Sequence, residues 1–568
     1  MKPFGPLGVG DNVMDVTPHR TALWCVVALV AVGCTSTSKT PSPSAAPTVA
    51  TLVLPDTGWS EDQRALHALR RLAYGPSPQD WAEVRRSGVA HWMALQLHPQ
   101  HLPDDAVAAR LEPLSTLRLS TEELMTRYPP LRQQARELGF PLESPEDRRE
   151  LAMMLGTDAL PRRVSADLMA QKLIRAVESR HQLQEVLVDF WFNHFNVSAE
   201  KGPVRWMVTS YERDAIRPHV FGRFRDLLGA TARHPAMLFY LDNWTSVRDG
   251  FEPLRRGRLP PAFRKNARGL NENYARELLE LHTLGVDGGY TQEDVREVAR
   301  VFTGWSLNRP RLAPAFVFRA DAHDPDEKRV LGSPIASGGE KEGEQVLDML
   351  ARHPSTARFL ATKLARKFVS DEPPATLVDR LAQVFLDSDG ELRAVYAALF
   401  TSPEFWSDAA WSAKTKTPLE LVASSLRALG GTTDGGPPLA RAVERMGEPL
   451  YRAPAPTGYP EHATPWVNAG ALVSRLNFAL ALAADRVRGT EVDVKTLLPR
   501  PWPEDTGTLV DTLALRLLYE PLSPQTRATL LAALEPGEDG RMPDGEVRPV
   551  DLRRAAGLLL GSPEFQKQ

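Results

Sequence analysis

The chain has 568 residues, 42% of them apolar and 24% charged, and these are ordinary values for a globular protein. A chain of this length buries a large core, and at about 150 residues per domain it has room for two to four structural units. Its formal net charge of -3 gives no support for binding to nucleic acid or to another polyanion, while 48 prolines predict many short helices.

The N-terminal segment has the pattern of a bacterial export signal. Two basic residues precede an apolar run over residues 22–32, which is too short to span a bilayer and has the length of a signal-peptide apolar region. The run ends in Ala-Val-Gly followed by Cys34, which resembles a lipobox. Cys34 would then be lipidated and become the new N-terminus. The alternative is a plain secretory signal that is cleaved without lipidation.

We therefore predict a lipoprotein signal peptide over residues 1–33 and a disordered tether, rich in serine, threonine and proline, over residues 34–58. Threonine rather than aspartate follows Cys34, and in Gram-negative lipoproteins this favours the outer membrane. The other cysteine lies inside the apolar run, so a disulfide or a thiolate zinc site is not expected in the folded part. Met1 and Met14 are both candidate translation starts.

Helical periodicity dominates the rest of the chain, beginning at Ser60. It recurs in residues 81–97, 111–180, 182–196 and 341–370. The pattern breaks between Asp242 and Arg268, where glycine, proline and arginine occur without periodicity and predict a long surface loop. Leu392–Phe405 and Leu552–Phe565 share one pattern, a helix stopped by Ser-Pro, at the same internal spacing.

Only one strand pair is convincing, Phe316–Arg319 with Lys328–Leu331 across a polar turn. We therefore predict an all-α fold: a multi-helix globular body over residues 59–568 with one small β-hairpin. In one version of this organisation, a hairpin segment over residues 311–339 joins two smaller helical units. These units are residues 59–310 and 340–568.

The densest block of charged, amide and imidazole side chains is Asn271–Trp305. Apolar residues recur at i, i+4 and i+7 from Tyr274, so the first half predicts an amphipathic helix that ends at Gly285. Thr291 and Asp294 have the spacing of a capping box and predict the start of a second helix. The block is therefore a helix, a glycine turn and a helix.

The same block and four shorter segments carry a family resemblance. The matching segments are Asn271–Trp305, His67–Gly75, Phe190–Phe195, His323–Pro325 and Pro456–Pro460. They resemble motifs of the bacterial family catalogued as domain of unknown function 1800 (DUF1800), over most of the chain from about residue 60. That family has no established activity, so the resemblance implies no reaction. Members often occur with exported proteins that look like alkaline phosphatases or sulfatases, which implies such a partner.

Five side chains have the chemistry of a metal or acid–base site: His194, Glu277, Glu280, His282 and His323. Divalent metals take imidazole and carboxylate ligands, and acid–base catalysis uses groups that titrate near neutral pH. The first four are catalytic candidates, and the three histidines are candidate metal ligands. The chain contains no His-Glu-x-x-His, however, and each residue has a structural alternative, either a core histidine or a surface ion pair.

His194 continues the apolar face of the helix over residues 182–196, so we expect it to point inward. A buried imidazole needs hydrogen-bond partners. We predict that this helix packs on the helix over residues 271–284, where Glu277 and Glu280 are the nearest acceptors. Thermal unfolding with and without zinc would separate a metal site from a packing role.

Further polar and aromatic motif residues are candidate ligand-binding residues: Asn193, Asn271, Asn273, Arg276, His323, Tyr459 and Trp466. The last two belong to Tyr451–Trp466, a segment rich in proline, glycine and aromatic residues. This segment is either an ordered loop packed on the core or the lip of a glycan-binding site.

Two functions fit these observations. The first is an exported, lipid-anchored binding or assembly protein of the cell envelope, whose partners are the membrane, a phosphatase-like or sulfatase-like exported protein, or a glycan or other envelope polymer. The second is a metal-assisted or acid–base hydrolase of an envelope polymer, with a divalent metal as cofactor. Neither Gly-x-Ser-x-Gly nor a phosphate-binding loop motif occurs in the chain. Convergence of the five titratable side chains in one cleft would favour the hydrolase.

Overall fold

Short helices, many of them opened by proline, build the protein. The computed structural model describes residues 50–251, 269–499, 503, 505–534 and 551–568. Proline stands in the first turn of helices that begin after caps such as Ser77, Ser144, Thr417 and Ser562. Proline is tolerated there because the first N–H groups of a helix have no intrahelical partner.

The N-terminal third of the described chain is helical throughout. Its helices are α1 (Glu61–Leu72), α2 (Pro78–Ser87), α3 (Val89–Leu97), α4 (Asp105–Leu111), α5 (Thr121–Arg127), α6 (Leu131–Leu138), α7 (Pro145–Leu155), α8 (Arg162–Glu178) and α9 (Gln182–His194). Short 3-10 turns at Pro99–His101, Ser115–Arg118 and Thr157–Ala159 connect some of them. The predicted helix over residues 182–196 is confirmed as α9, and α1 begins directly after Ser60, where the helical periodicity of the sequence begins.

The middle of the chain contains two π-helical turns, at Tyr211–Ile216 and Leu278–Thr283. The helices of this part are α10 (Val204–Ser210), α11 (Phe224–Arg233), α12 (Pro235–Tyr240), α13 (Asn273–Glu277) and α14 (Gln292–Val301). Its 3-10 turns are Arg217–His219 and Asn243–Thr245. The predicted capping box is present, since the Thr291 hydroxyl accepts from the Asp294 N–H and the Asp294 carboxylate accepts from the Thr291 N–H.

The last part returns to helices. They are α15 (Glu340–Ala351), α16 (Pro354–Phe368), α17 (Ala375–Asp387), α18 (Leu392–Phe400), α19 (Pro418–Ala428), α20 (Pro437–Arg445), α21 (Ala469–Ala483), α22 (Thr506–Leu517), α23 (Pro524–Leu534), α24 (Leu552–Leu560) and α25 (Pro563–Gln566), with 3-10 turns at Thr464–Trp466 and Val494–Leu497. The shared pattern appears as predicted: α18 and α24 are each followed by a serine whose hydroxyl accepts an N–H, from Phe405 and Phe565.

Strands are short and pair in twos in the described chain. β1 (Trp305–Asn308) pairs antiparallel with β2 (Ala315–Phe318), β3 (Lys328–Val330) with β4 (Ser333–Ile335), and β5 (Thr432–Thr433) with β6 (Thr490–Glu491).

The predicted strand pair was wrong in its partners. Both segments are strands, but each pairs with a neighbour that the sequence analysis did not identify as a strand. Gly304 is the reason for the first pairing. Its φ of +80° turns the chain back after α14, and a Cβ there would lie 2.6 Å from the Arg319 carbonyl oxygen. Arg319 N–H donates to the Gly304 carbonyl at 2.8 Å, so the strand from Trp305 is held against Phe318. The all-α class with small hairpins is nevertheless confirmed.

Several predictions concern residues outside the described part of the chain. These are the signal peptide, Cys34, most of the tether and residues 252–268 of the long loop. Residues 50–58 of the predicted tether have no helix or strand, and Leu52 and Leu54 pack against the core. The folded body therefore begins before residue 59. No helix among the described residues is long and apolar enough to cross a membrane.

One core connects the two ends of the described chain. Arg70 of α1 donates to the Leu518 carbonyl at 3.2 Å, and Arg71 donates to the carbonyls of Val369 and Ala410 at 3.1 and 2.5 Å. The described residues from 50 onward accordingly belong to one compact unit, which includes the described parts of both 59–310 and 340–568.

Candidate functional site

The C-terminal end of α9 packs on the π-helical turn at Leu278–Thr283. His194 Nε2 lies 3.1 Å from the His282 carbonyl oxygen, and the two imidazole centroids are 6.2 Å apart. The contact predicted between these two segments is therefore confirmed. Its chemistry follows from helix geometry, since the carbonyls of a last helical turn have no intrahelical partner, and the His194 ring supplies one for His282.

His194 is a neutral histidine in a defined tautomer. Burial, the positive charge of Lys363 and the neighbouring His282 hold the pKa of His194 well below its usual value. Since the His282 carbonyl can only accept, Nε2 carries the proton, and Nδ1 accepts from Lys363 Nζ at 3.1 Å. Burial also lowers the pKa of Lys363 to about 8.

His282 is equally enclosed. Burial and the nearby Lys363 lower its pKa to about 3, and its Nε2 has no hydrogen-bond partner among the described residues. The two imidazoles are therefore uncharged core groups at neutral pH, packed against Phe195 and Phe359.

The expectation that Glu277 and Glu280 serve His194 was wrong. Both carboxylates are on the partly exposed side of their helix, where Glu280 accepts from the Tyr290 hydroxyl at 3.4 Å. Burial and the neighbouring Glu280 raise the pKa of Glu277. The buried residues of this segment are Leu278, Leu279, His282 and Thr283, and neither glutamate is among the hydrogen-bond partners of His194.

His323 belongs to a different cluster. Its Nδ1 lies 2.9 Å from the Thr303 carbonyl oxygen, and its Nε2 lies 3.2 Å from a Glu342 carboxylate oxygen. The other oxygen of Glu342 lies 2.8 Å from Lys328 Nζ. This buried ion cluster joins the strand region to α15, and the adjacent Asp324 forms a bidentate pair with Arg300 at 2.8 and 3.1 Å.

The three histidine candidates do not assemble a metal site. Within the described residues, no group of three or more His, Cys, Asp or Glu side chains has the geometry to hold a metal ion. Lys363 beside His194 and His282 is a further reason, because a cation there disfavours a second cation. The residues present do not fit the divalent metal that the hydrolase hypothesis invoked.

The amide and arginine candidates at the start of α13 make structural contacts. Asn271 N–H donates to the Ser246 hydroxyl at 3.2 Å, and the Asn273 amide donates to the Leu241 carbonyl at 3.3 Å. Arg276 pairs with Glu272 at 3.2 Å, as an i, i+4 ion pair predicts. Asn271 and Asn273 thus connect the start of α13 to the chain at Leu241–Ser246, where the long loop begins.

Asn193 fixes the segment Tyr451–Trp466 to α9. Its amide donates to the Tyr459 carbonyl at 2.7 Å and its amide oxygen accepts from the Tyr459 N–H at 2.6 Å. Gly458 has a φ of +70°, and a Cβ there would lie 2.3 Å from the Asn193 amide oxygen, so only glycine fits. Trp466 is 4% exposed and donates to the Pro460 carbonyl at 3.2 Å. The structure thus favours the ordered loop over the glycan-binding lip for this indole.

Beneath this loop lies a polar cavity that the sequence analysis missed. Its volume is about 30 Å³, enough for one or two water molecules. The charged side chains lining it are Lys172, Asp189, Lys367, Glu448 and Glu461. Asp189 accepts from Lys172 at 2.6 Å, while Lys367 donates to Glu420 at 2.8 Å and lies 3.6 Å from Glu461.

Glu448 is the unusual member of this cavity. Burial and the negative charge of Asp189 raise its pKa to about 8, and one of its carboxylate oxygens accepts from the Leu419 N–H at 2.8 Å. Glu448 thus shares one cavity with the carboxyl groups of Asp189 and Glu461. The only sequence signal was Asp189, a charged residue on the strongly apolar helix α9. Nothing near Glu448 predicted its burial.

Comparison with known proteins gives one match. A family model with the description "Protein of unknown function (DUF1800)" matches residues 67–567. The matched range contains α9, the block at Asn271–Trp305 and the loop at Tyr451–Trp466, so each cluster described above lies within it. No curated protein and no solved structure matches the chain.

Proposed function

The chain belongs to the DUF1800 family of proteins of unknown function, and we propose that it is an exported, lipid-anchored binding or assembly protein of the cell envelope. The observation that supports a binding role is the distribution of the five titratable candidates. His194 and His282 are buried among aromatic rings, His323 is in a separate ion cluster, and Glu277 and Glu280 are partly exposed. An envelope hydrolase built on these five would need them in one open cleft.

Export and anchoring are supported by the apolar run that ends at Cys34. The test is membrane fractionation of the full chain and of Cys34→Ala in a bacterium that lipidates exported proteins. We expect the wild type with the membranes and the variant in the soluble envelope fraction, with a change in electrophoretic mobility. Unchanged partition and mobility would contradict the anchor.

A second candidate function is acid–base hydrolysis at the cavity under the loop. One observation favours it: Asp189, paired with Lys172, and Glu448, with its raised pKa, line the same cavity. A carboxyl group with a raised pKa is the pattern of a general acid, and a second carboxyl group in the same cavity is the candidate base. The cavity has room only for water-sized molecules, so an envelope polymer would reach it only after the loop at Tyr451–Trp466 moved.

The hydrolase candidate is tested by incubating the purified full chain with isolated peptidoglycan and with envelope polysaccharide and measuring released fragments. Activity that is lost in both Asp189→Asn and Glu448→Gln, at unchanged thermal stability, would replace the binding proposal. Equal fragment release with wild type, with both variants and without protein would leave the binding function as proposed.

A further inference from the structure

A second concave site of the protein is an open groove, whose volume is far larger than that of the cavity under the loop. Its volume is about 1370 Å³. It is lined by residues of α5, α6, the end of α7, the starts of α8 and α10, and the turn between β1 and β2. Single drug-sized ligands occupy about 300–1,000 Å³, so this groove has the size for an extended chain.

The groove is basic, although the protein as a whole is slightly acidic. Five arginines line it against two glutamates. Both glutamates are engaged within the chain: Glu122 lies 3.8 Å from Arg309, and Glu137 accepts from Gln133 at 2.9 Å. The local field therefore favours negatively charged ligands.

Three of these arginines are free to bind a ligand. The exposed side chains of Arg132, Arg162 and Arg311 have no ion-pair or hydrogen-bond partner among the described residues. The pair of Arg217 with Glu185, at 2.7 and 2.9 Å, shows the bidentate contact that an arginine of this chain makes with a carboxylate. A guanidinium presents planar N–H donors that can bind both oxygens of a carboxylate. Three unpaired guanidinium groups in one groove can therefore bind several carboxylates of one ligand.

The same groove is also apolar. Met125, Leu131, Leu160 and Leu312 line it, and Leu312 is 64% exposed. Its one tryptophan does not offer a flat ring to a sugar, because Trp206 is 6% exposed and donates to the Tyr128 carbonyl at 2.9 Å. Apolar contacts between unpaired arginines favour a polypeptide that alternates acidic and apolar side chains over a plain polyanion or a glycan.

We propose that this groove docks an extended acidic segment, with apolar side chains between its carboxylates, of a partner protein at the cell envelope. The inference rests on the proposed binding function and adds the docking site and the chemistry of the partner. In this arrangement Arg132, Arg162 and Arg311 pair with the carboxylates, and Leu312 with the lining of α5 and α6 covers the apolar side chains.

The first experiment measures binding of a fluorescent synthetic peptide of alternating glutamate and leucine to the purified full chain by anisotropy. The groove variant carries Arg132→Glu, Arg162→Glu and Arg311→Glu. The control carries the same charge change at three exposed arginines outside the groove lining, Arg86→Glu, Arg441→Glu and Arg554→Glu. We expect the groove variant to bind at least about tenfold more weakly, and the control to change affinity by less than about threefold, since charges that do not contact the peptide are screened by salt.

Three outcomes would overturn the proposal. Equal weakening in the groove and control variants would mean that bulk charge attracts the peptide. Equally tight binding of polyglutamate or of hyaluronate would mean that the apolar lining has no role. Binding to phosphatidylglycerol vesicles without binding to the peptide would assign the groove to a lipid surface. Circular dichroism and melting curves establish that each variant is folded. We expect this result because substitutions at exposed positions change the stability of a protein little.

A second experiment separates this proposal from the proposed function. Wild type and groove variant are cross-linked in intact cells, and captured proteins are compared. Loss of one captured protein, itself bearing an acidic exposed segment that binds the purified groove, supports the docking site. The same proteins captured by both forms would overturn the docking site and leave the binding function in place. Failure of both forms to capture any partner would contradict the binding function itself.

Discussion

At the scale of single residues, Glu448 provides a test, because its raised pKa makes the stability of the folded protein depend on pH. Glutamate has an ordinary pKa of 4.5, and the folded chain holds the Glu448 proton up to about pH 8. Between these values the folded state binds more protons than the unfolded state, so this group's contribution to stability falls as pH rises. The slope is at most about 1.4 kcal/mol per pH unit.

Glu448→Gln removes that titration and keeps the shape of the side chain. We expect the difference in the free energy of unfolding, wild type minus variant, to decrease between pH 5 and pH 8. Urea unfolding at each pH measures it, and Glu293→Gln, at an exposed position, is the matched control. Parallel pH profiles for wild type and Glu448→Gln would contradict the shared-cavity account.

His194 is a second test at this scale. His194→Ala would leave the His282 carbonyl and Lys363 without their partner and would open a cavity, so we expect a loss of about 2–4 kcal/mol in unfolding free energy. Exposed His462→Ala serves as the control and should cost under about 0.5 kcal/mol. Zinc should leave the melting temperature of the wild type unchanged. A zinc-dependent rise that is absent in His194→Ala would restore the metal hypothesis.

At the scale of elements, the family motif on α9 organises a loop far away in the chain. Asn193 makes two hydrogen bonds to the Tyr459 backbone, and the Asn196 amide donates to the Ala455 carbonyl at 2.7 Å. The loop, in turn, covers the cavity that contains Asp189 and Glu448. The end of α9 therefore determines whether this cavity is closed.

Asn193→Ala should loosen the loop without unfolding the body. The two lost hydrogen bonds are worth roughly 1–3 kcal/mol together, which is a local rather than a global loss. Limited proteolysis with proteinase K should cut residues 453–463 faster in this variant than in the wild type. Asn477→Ala, at an exposed position on α21, should be cut like the wild type. Equal cutting rates in all three proteins would show that other contacts hold the loop.

At the scale of the whole molecule, the described helices share one core. The opening motif around His67 illustrates this, because its ring packs on Trp406 and Phe405, and the adjacent Arg71 reaches two carbonyls of the second half. Contacts of this kind connect the first and second halves of the chain, so we expect the two halves to unfold cooperatively.

Thermal unfolding should therefore be a single transition, coincident by far-ultraviolet circular dichroism and by tryptophan fluorescence. Arg71→Met should lower both midpoints equally, because the carbonyls of Val369 and Ala410 lose their buried donor. Arg85→Met, on the exposed face of α2, is the control. Two separate transitions in the wild type would support independent units instead.

The sequence by itself determined the helical class, the position of α9, the capping box at Thr291 and the repeated Ser-Pro helix ends. These features depend on side-chain periodicity and on hydrogen bonds between residues a few positions apart, which a sequence displays directly. It also identified the contact between α9 and the segment after Asn271, because an inward-facing imidazole requires a partner.

Only the tertiary structure decided which groups meet. Strand partners depended on the backbone turn at Gly304, and the partner of His194 was a helix-end carbonyl that the π-helical turn presents. Glu448 meets Asp189 in one cavity, and the unpaired arginines line one groove, although the net charge is -3. These features arise from long-range packing. Segments far apart in sequence come together and create local charge and local burial, which the composition of the whole chain does not show.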